Sequence, residues 1–149
     1  MRVVRIPSTG GAEILRASEL FDEPPSRSAT RRYLGDRRNI FLLAYMGRQP
    51  VGFLRGTELR QIHTGRRQMF LYEIAVASRF RRRGVARSLI QRLLRYCRSK
   101  NFEEAFVFTS PSNRAAVGLY RSTGAKTETD GDRMYVYTMA SVRPRGETA

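Results

Sequence analysis

Lysine is nearly missing from this chain: Lys100 and Lys126 are the only two, although Lys and Arg together number 28 of 149 residues. Acids are also scarce, 13 in all, so the formal net charge is +15. That charge suits a polyanionic partner such as nucleic acid, an anionic membrane or a phosphate-rich cofactor. The arginines are scattered over most of the chain, as compositional drift toward arginine codons would leave them, so only a local concentration carries functional weight. Cysteine occurs once, at Cys97, which excludes an internal disulfide and agrees with a reducing compartment. Histidine also occurs once; His63 has no second ligand at metal spacing, so no metal site is expected. Long apolar runs are absent, and the best, Ile40 to Met46, is strand length, which excludes a bilayer span. Met1 to Pro7 lacks the continuous apolar stretch of a signal peptide, and a cytoplasmic location is expected. No internal repeat or low-complexity segment is present.

Apolar residues make up 41%, enough for one domain with a core and too short a chain for two. The pattern places the domain over residues 1–141, with 142–149 a flexible C-terminal tail carrying Pro144 and Gly146. Met1 to Ile6 reads as a strand and Ala12 to Leu20 as a helix ending before Pro24 and Pro25. Ser28 to Leu34 reads as a second helix capped by Ser26 or Ser28. Ile40 to Met46 and Val51 to Leu59 form a hairpin across Gly47 to Pro50, and Arg60 to Arg67 is a polar loop. Phe70 to Val76 is an apolar strand interrupted by one acid, Glu73. Gly84 opens a helix to about Lys100, with Ala86, Leu89, Ile90, Leu93, Leu94 and Cys97 on one face. Asn101 suits a left-handed residue at its end. Glu104 to Thr109 is a strand, Asn113 to Thr123 a helix closed by Gly124, and Arg133 to Met139 a last strand. The order β-α-α-β-β-β-α-β-α-β describes a single-domain mixed sheet flanked by helices, with a parallel crossover through the 85–100 helix.

The local concentration of charge lies between Arg79 and Arg87, where five arginines surround the start of that helix. Free N–H groups and the dipole at a helix start attract phosphate, and positive side chains there are otherwise unfavourable. An anion would offset them. Gly84 keeps a side chain away from such an anion, and Ala86 is small enough for close helix–strand packing. A solvated basic loop before an ordinary helix is the alternative.

Arg81-x-x-Gly84-x-Ala86, after a strand and opening a helix, resembles the [Gln/Arg]-x-x-Gly-x-[Gly/Ala] signature of Gcn5-related N-acetyltransferases (GNAT). Leu71 to Val76 looks like that family's central fourth strand, and Asn113 to Ala125 looks like its Asn-x-x-Ala…Leu-Tyr-x-x-x-Gly helix. The spacing of the three blocks agrees. Within the family, Leu20 to Pro25, Phe41 to Tyr45 and Phe70 to Glu73 are most similar to small bacterial aminoglycoside 3-N-acetyltransferase-like members.

The resemblance implies acetyl-CoA as co-substrate, a primary amine as acceptor, no metal, and homodimerisation. The pantetheine arm would lie between splayed fourth and fifth strands, against the backbone of Ile74, Ala75 and Val76. The pyrophosphate would sit on Arg81, Arg82, Arg83, Gly84, Val85 and Ala86, with further contacts from Arg87 or Ser88. Asn113 matches a residue that contacts the cofactor arm, and as a helix cap it also needs no ligand. Glu73 is the candidate base, direct or through a water, with burial expected to raise its pKa; an ion pair with an arginine is the alternative. Tyr120 matches the family tyrosine that protonates the departing thiolate; a core tyrosine beside Leu119 is the alternative. Asp22 and Glu23 are candidate acceptor ligands, and His63 reads as surface or acceptor-site rim. Cys97, on the apolar helix face, reads as core and not nucleophile. Phe106/Phe108 and Tyr135/Tyr137 read as ordinary strand faces.

Carboxylates are expected around a polycationic aminoglycoside, yet Thr109-Ser110-Pro111-Ser112 holds none. Three functions therefore remain: acetylation of a small amine, aminoglycosides included; acetylation of a protein Lys or N-terminus; and non-enzymatic nucleic-acid binding. The last needs aromatics interleaved with the arginines, and around Arg79 to Arg98 only Phe80 and Tyr96 occur, which argues against it.

Overall fold

A computed structural model describes residues 1–127 together with Tyr135 and Tyr137. The expected last strand, Arg133 to Met139, and the 142–149 tail lie outside the described residues, except that Tyr135 and Tyr137 are exposed.

Five strands form one sheet in the order β1-β2-β3-β4-β5 among the described residues. They are β1 (Arg2–Arg5), β2 (Asn39–Met46), β3 (Gln49–Arg60), β4 (Arg67–Val76) and β5 (Glu104–Phe106). β1 to β4 pair antiparallel in sequence, whereas β4 and β5 pair parallel, because helix α3 (Val85–Ser99) carries the chain back over the sheet. The mixed sheet and its crossover agree with the sequence pattern. The remaining helices are α1 (Gly11–Arg16), α2 (Arg27–Gly35) and α4 (Arg114–Ser122).

Two periodicities build the core. In β2, Ile40, Leu42 and Ala44 fall on one face and Phe41, Leu43 and Tyr45 on the other, all buried. The first face meets Val85, Leu89, Ile90, Leu93 and Cys97 of α3. The second meets Ile14 and Ala17 beside α1 and Leu34 of α2, so helices cover both faces of a sheet that is apolar on both. Leu119 and Tyr120 of α4 pack half-buried against the α3 side.

Capping explains the boundaries. Ser26 is the α2 cap, accepting from the Ala29 N–H at 3.1 Å, and Asn113 is the α4 cap, accepting from Ala116 at 3.2 Å. Asn101 takes φ 58° after α3, and Gly124 takes φ 100° after α4. Two expected elements are shorter. The Ala12–Leu20 helix is α1 followed by a 3-10 turn at Ser18–Leu20, since the Ala17 N–H bonds the carbonyls of both Glu13 and Ile14. The Glu104–Thr109 strand ends at Phe106, where its pairing with β4 stops. Phe108 beyond it is 73% exposed and therefore not on a packed strand face.

α3 sits directly on β3. A Cβ placed on Gly52 would lie 2.9 Å from the Ala75 carbonyl oxygen and 3.0 Å from Val85 Cγ1. Gly52→Ala should therefore overpack this contact and cost about 1–3 kcal/mol, read as a lower urea midpoint with an unchanged slope.

Candidate active site

β4 has two neighbours for only part of its length. The parallel pairing joins Gln68, Met69 and Phe70 to Glu104, Ala105 and Phe106, and there it ends. β4 runs on to Val76, so from Leu71 onward it pairs with β3 on one side and has no strand partner on the other among the described residues. The pairing of the fourth and fifth strands thus ends with β5 at Phe106. Backbone groups along that edge need a partner, from water or from a ligand lying as an added strand. Ile74, Ala75 and Val76 all lie on this stretch, and the Val76 carbonyl accepts from Arg81 Nε at 3.3 Å.

The edge leads into the basic turn. Ser78–Phe80 forms a 3-10 turn, Arg81 is extended, Arg82 takes φ 61°, and Gly84 takes φ 80° as the N-cap of α3 with no side-chain cap. The first N–H groups of α3, from Val85 to Arg87, have no intrahelical acceptor, as at any helix start. Arg81, Arg82 and Arg83 are exposed around this turn, and Arg79 and Arg83 lie over the Phe80 ring at 5.2 and 5.5 Å. Ser88 is half-buried one turn on. Gly84 takes a positive φ, which favours glycine, and a Cβ there would meet no protein atom within 4 Å, so the backbone stands open on that side. Arg87 is engaged with α4, donating to the Ser122 carbonyl at 3.2 Å and to its Oγ at 2.9 Å. A cation at the C-terminal end of α4 is well placed for that helix's dipole.

Glu73 owes its setting to a bulge. Arg55 pairs with Glu73 and Gly56 with Leu71, leaving Tyr72 without an opposite residue. The extra residue breaks the two-residue alternation. Leu71 packs on the α3 side, whereas Glu73 meets Arg55, which lines a pocket on the α1–α2 side. Arg55 Nε donates to Glu73 Oε2 at 2.5 Å, with both side chains about a third exposed, and its guanidinium lies 4.2 Å from the Tyr72 ring centre. The apolar isolation expected of Glu73 is absent; an ion pair satisfies it. Arg55 is the functional candidate that sequence reasoning missed, because nothing in a scattered set of arginines marks the one opposite Glu73. Only the hairpin register does.

Tyr120 is half-buried against the α3-side core, and burial pushes its hydroxyl above the ordinary phenol range. It is a proton donor at neutral pH. Asn113 spends its Oδ1 on the α4 cap. Cys97 is buried, with its thiol pushed up to about 11 by desolvation, which suits core and not nucleophile. His63 is exposed at the β3–β4 turn.

The pocket on the α1–α2 side has a volume of about 190 Å³ and is lined by Ile14, Phe21, Thr30, Tyr33, Phe41 and Arg55, among others. The Tyr33 hydroxyl is 3.0 Å from the carbonyl oxygens of both Ile40 and Gly56, tying α2 to the bulge, and burial pushes its pKa up to about 12. Asp22 and Glu23 are exposed on the loop between Phe21 and Pro25, two residues of the pocket wall.

Residues 12–125 match the model of the acetyltransferase (GNAT) family. N-acetyltransferase 8B of Rattus norvegicus is 33% identical over 95 residues, which cover 64% of this chain and 43% of the rat protein. The chain thus spans under half the length of the mammalian N-acetyltransferases it matches. An aminoglycoside acetyltransferase from an uncultured soil metagenomic sample, solved with trehalose, superposes with a TM-score of 0.83 at 23% identity, over 93% of this chain and 95% of that one. The aminoglycoside N-acetyltransferase AAC(6')-Iy in complex with CoA gives 0.68 at 20% identity, over 93% and 98%. At these identities the two structures establish the shared fold.

Gly84→Val should strain the start of α3 by roughly 1–2 kcal/mol, the cost of a left-handed β-branched residue. It should also set a branched side chain beside the free amides at the start of α3, so that acetyl-CoA affinity by calorimetry falls well beyond what the lower melting point explains. Unaltered affinity would remove the turn from the site.

Proposed function

The chain belongs to the acetyltransferase (GNAT) family, and from that premise we propose that it is an N-acetyltransferase moving acetyl from acetyl-CoA to the primary amine of a small molecule. The observation that carries this reading is the β4 edge, unpaired beyond Phe70 among the described residues, running into the uncapped helix start of α3. An extended, amide-containing arm fits the edge, and a pyrophosphate fits the turn. Ile74, Ala75 and Val76 would hold the arm, and the stretch from Arg81 to Ala86, with Ser88, the phosphates. Asn113 caps α4, the helix that carries Tyr120. Among the described residues no group of three His, Cys, Asp or Glu side chains could hold a metal ion, and the chemistry proposed uses none. Bound acetyl-CoA supplies the thioester that the amine attacks.

Two side chains move protons. Glu73, held by Arg55 through Oε2, has a second oxygen, Oε1, with which to take the ammonium proton, directly or through one water. The guanidinium fixes the carboxylate's direction. Tyr120 donates to the departing thiolate, and its raised pKa keeps the proton in place until then.

Each role has its own test, read as free thiol released. Tyr120→Phe should lower kcat roughly ten- to a thousand-fold with little change in KM for acetyl-CoA, since the hydroxyl is wanted only late. Turnover at the wild-type rate would make Tyr120 a packing residue.

Glu73→Gln keeps shape and can still meet Arg55, so stability should fall by less than about 1 kcal/mol, as befits a pair a third exposed. Its kcat/KM should drop most at neutral pH and partly recover as alkali deprotonates the amine unaided. A purely structural ion pair gives the reverse pattern, a lower melting point with a pH profile of wild-type shape and height.

A further inference from the structure

Thr30 is the one buried polar side chain among the described residues whose oxygen has no hydrogen-bond partner, and it stands in the wall of the 190 Å³ pocket. It is only 4% exposed. A threonine in mid-helix ordinarily bonds back to a carbonyl or reaches water, and an orphaned buried hydroxyl carries a desolvation cost that a ligand atom would relieve. The rest of the wall is of two kinds. Ile14, Phe21 and Phe41 are apolar, and the two rings stack with centres 6.2 Å apart. Arg55 is cationic and spends Nε on Glu73, while its two terminal nitrogens have no carboxylate among the described residues. The hydroxyl proton of Tyr33 is committed to backbone carbonyls.

Size and charge narrow the occupant. The volume exceeds the ~150 Å³ cavity that accepts benzene and falls short of the roughly 300 Å³ at which drug-sized ligands begin. Its sheltered part takes one ring. No carboxylate lines it, so a polycation would meet a guanidinium and aromatic walls. We propose that the acceptor is an α-amino carboxylate with an aromatic side group bearing a hydrogen-bonding atom, of the phenol or indole kind. The ring lies against Phe21, Phe41 and Ile14, its polar atom bonds Thr30 Oγ1, the carboxylate takes the free nitrogens of Arg55, and the α-amine is left beside Glu73. This rests on the acetyl-transfer reading above. The step balances as one N–C bond formed and one thioester C–S bond broken, with one proton leaving the amine and one reaching the thiolate.

The test measures thiol release from acetyl-CoA by the full chain with L-tyrosine, L-phenylalanine, L-tyrosinamide, spermidine and kanamycin as acceptors, beside calorimetric binding of acetyl-CoA. The expected order places L-tyrosine first, with the other two aromatic amines each about tenfold lower in kcat/KM, one hydrogen bond or one charge contact being lost. Thr30→Val should abolish the preference for L-tyrosine over L-phenylalanine while the melting point holds or rises, and Thr30→Ser should keep the preference. Equal or better turnover of spermidine or kanamycin overturns the acceptor class and leaves acetyl transfer standing. A chain that binds acetyl-CoA yet releases no thiol with any acceptor overturns both. A preference for L-tyrosine that survives Thr30→Val overturns the assignment of the ring to this pocket.

Discussion

A β-strand that loses its neighbour partway along is the constraint on which the rest of the molecule turns. Backbone amides inside a protein have to bond to something, and β4 satisfies its second edge with β5 only as far as Phe70. Beyond that point the sheet stays intact through β3, so the exposed edge is held rigidly by a fully paired neighbour. The chain leaves this unpaired stretch at Val76 through the arginine-rich turn into α3.

The second determinant is the bulge at Tyr72. By strict alternation Glu73 would join Leu71 under α3, where an acid has no partner among aliphatic side chains. One extra residue turns it to the other face, where Arg55 waits across the hairpin. The same shift places Tyr72 under the Arg55 guanidinium. Tyr33, bonded to the carbonyls of Ile40 and Gly56, pins α2 to this irregular stretch. The α1–α2 side of the molecule is thus organised by a defect in pairing.

What could be read from the sequence was whatever local chemistry determines. Asn113, Ser26, Asn101 and Gly124 mark helix ends because a short polar side chain or a left-handed residue is needed there in any context. The apolar stripe of α3 and the parallel crossover followed from periodicity alone. Gly84 was legible as a position, and its positive φ adds a demand for glycine that the sequence does not display. Features set by register were not legible. Arg55 opposes Glu73 only because the β3–β4 hairpin pairs it so, and the turn that fixes the register lies well away in sequence. The orphaned hydroxyl of Thr30 is invisible for a related reason: it depends on what three separate elements fail to offer it. The early end of β5 is likewise a matter of where pairing with β4 stops.

Cys97 has a consequence for a site that sheds a sulfhydryl at each proposed turnover. Its thiol is buried under α3 and held up to about 11. At neutral pH only roughly one molecule in ten thousand would carry it as thiolate, the form that attacks disulfides. A disulfide of the proposed leaving thiol would therefore find little on this chain to exchange with. Packing alone slows that exchange at the chain's single sulfur.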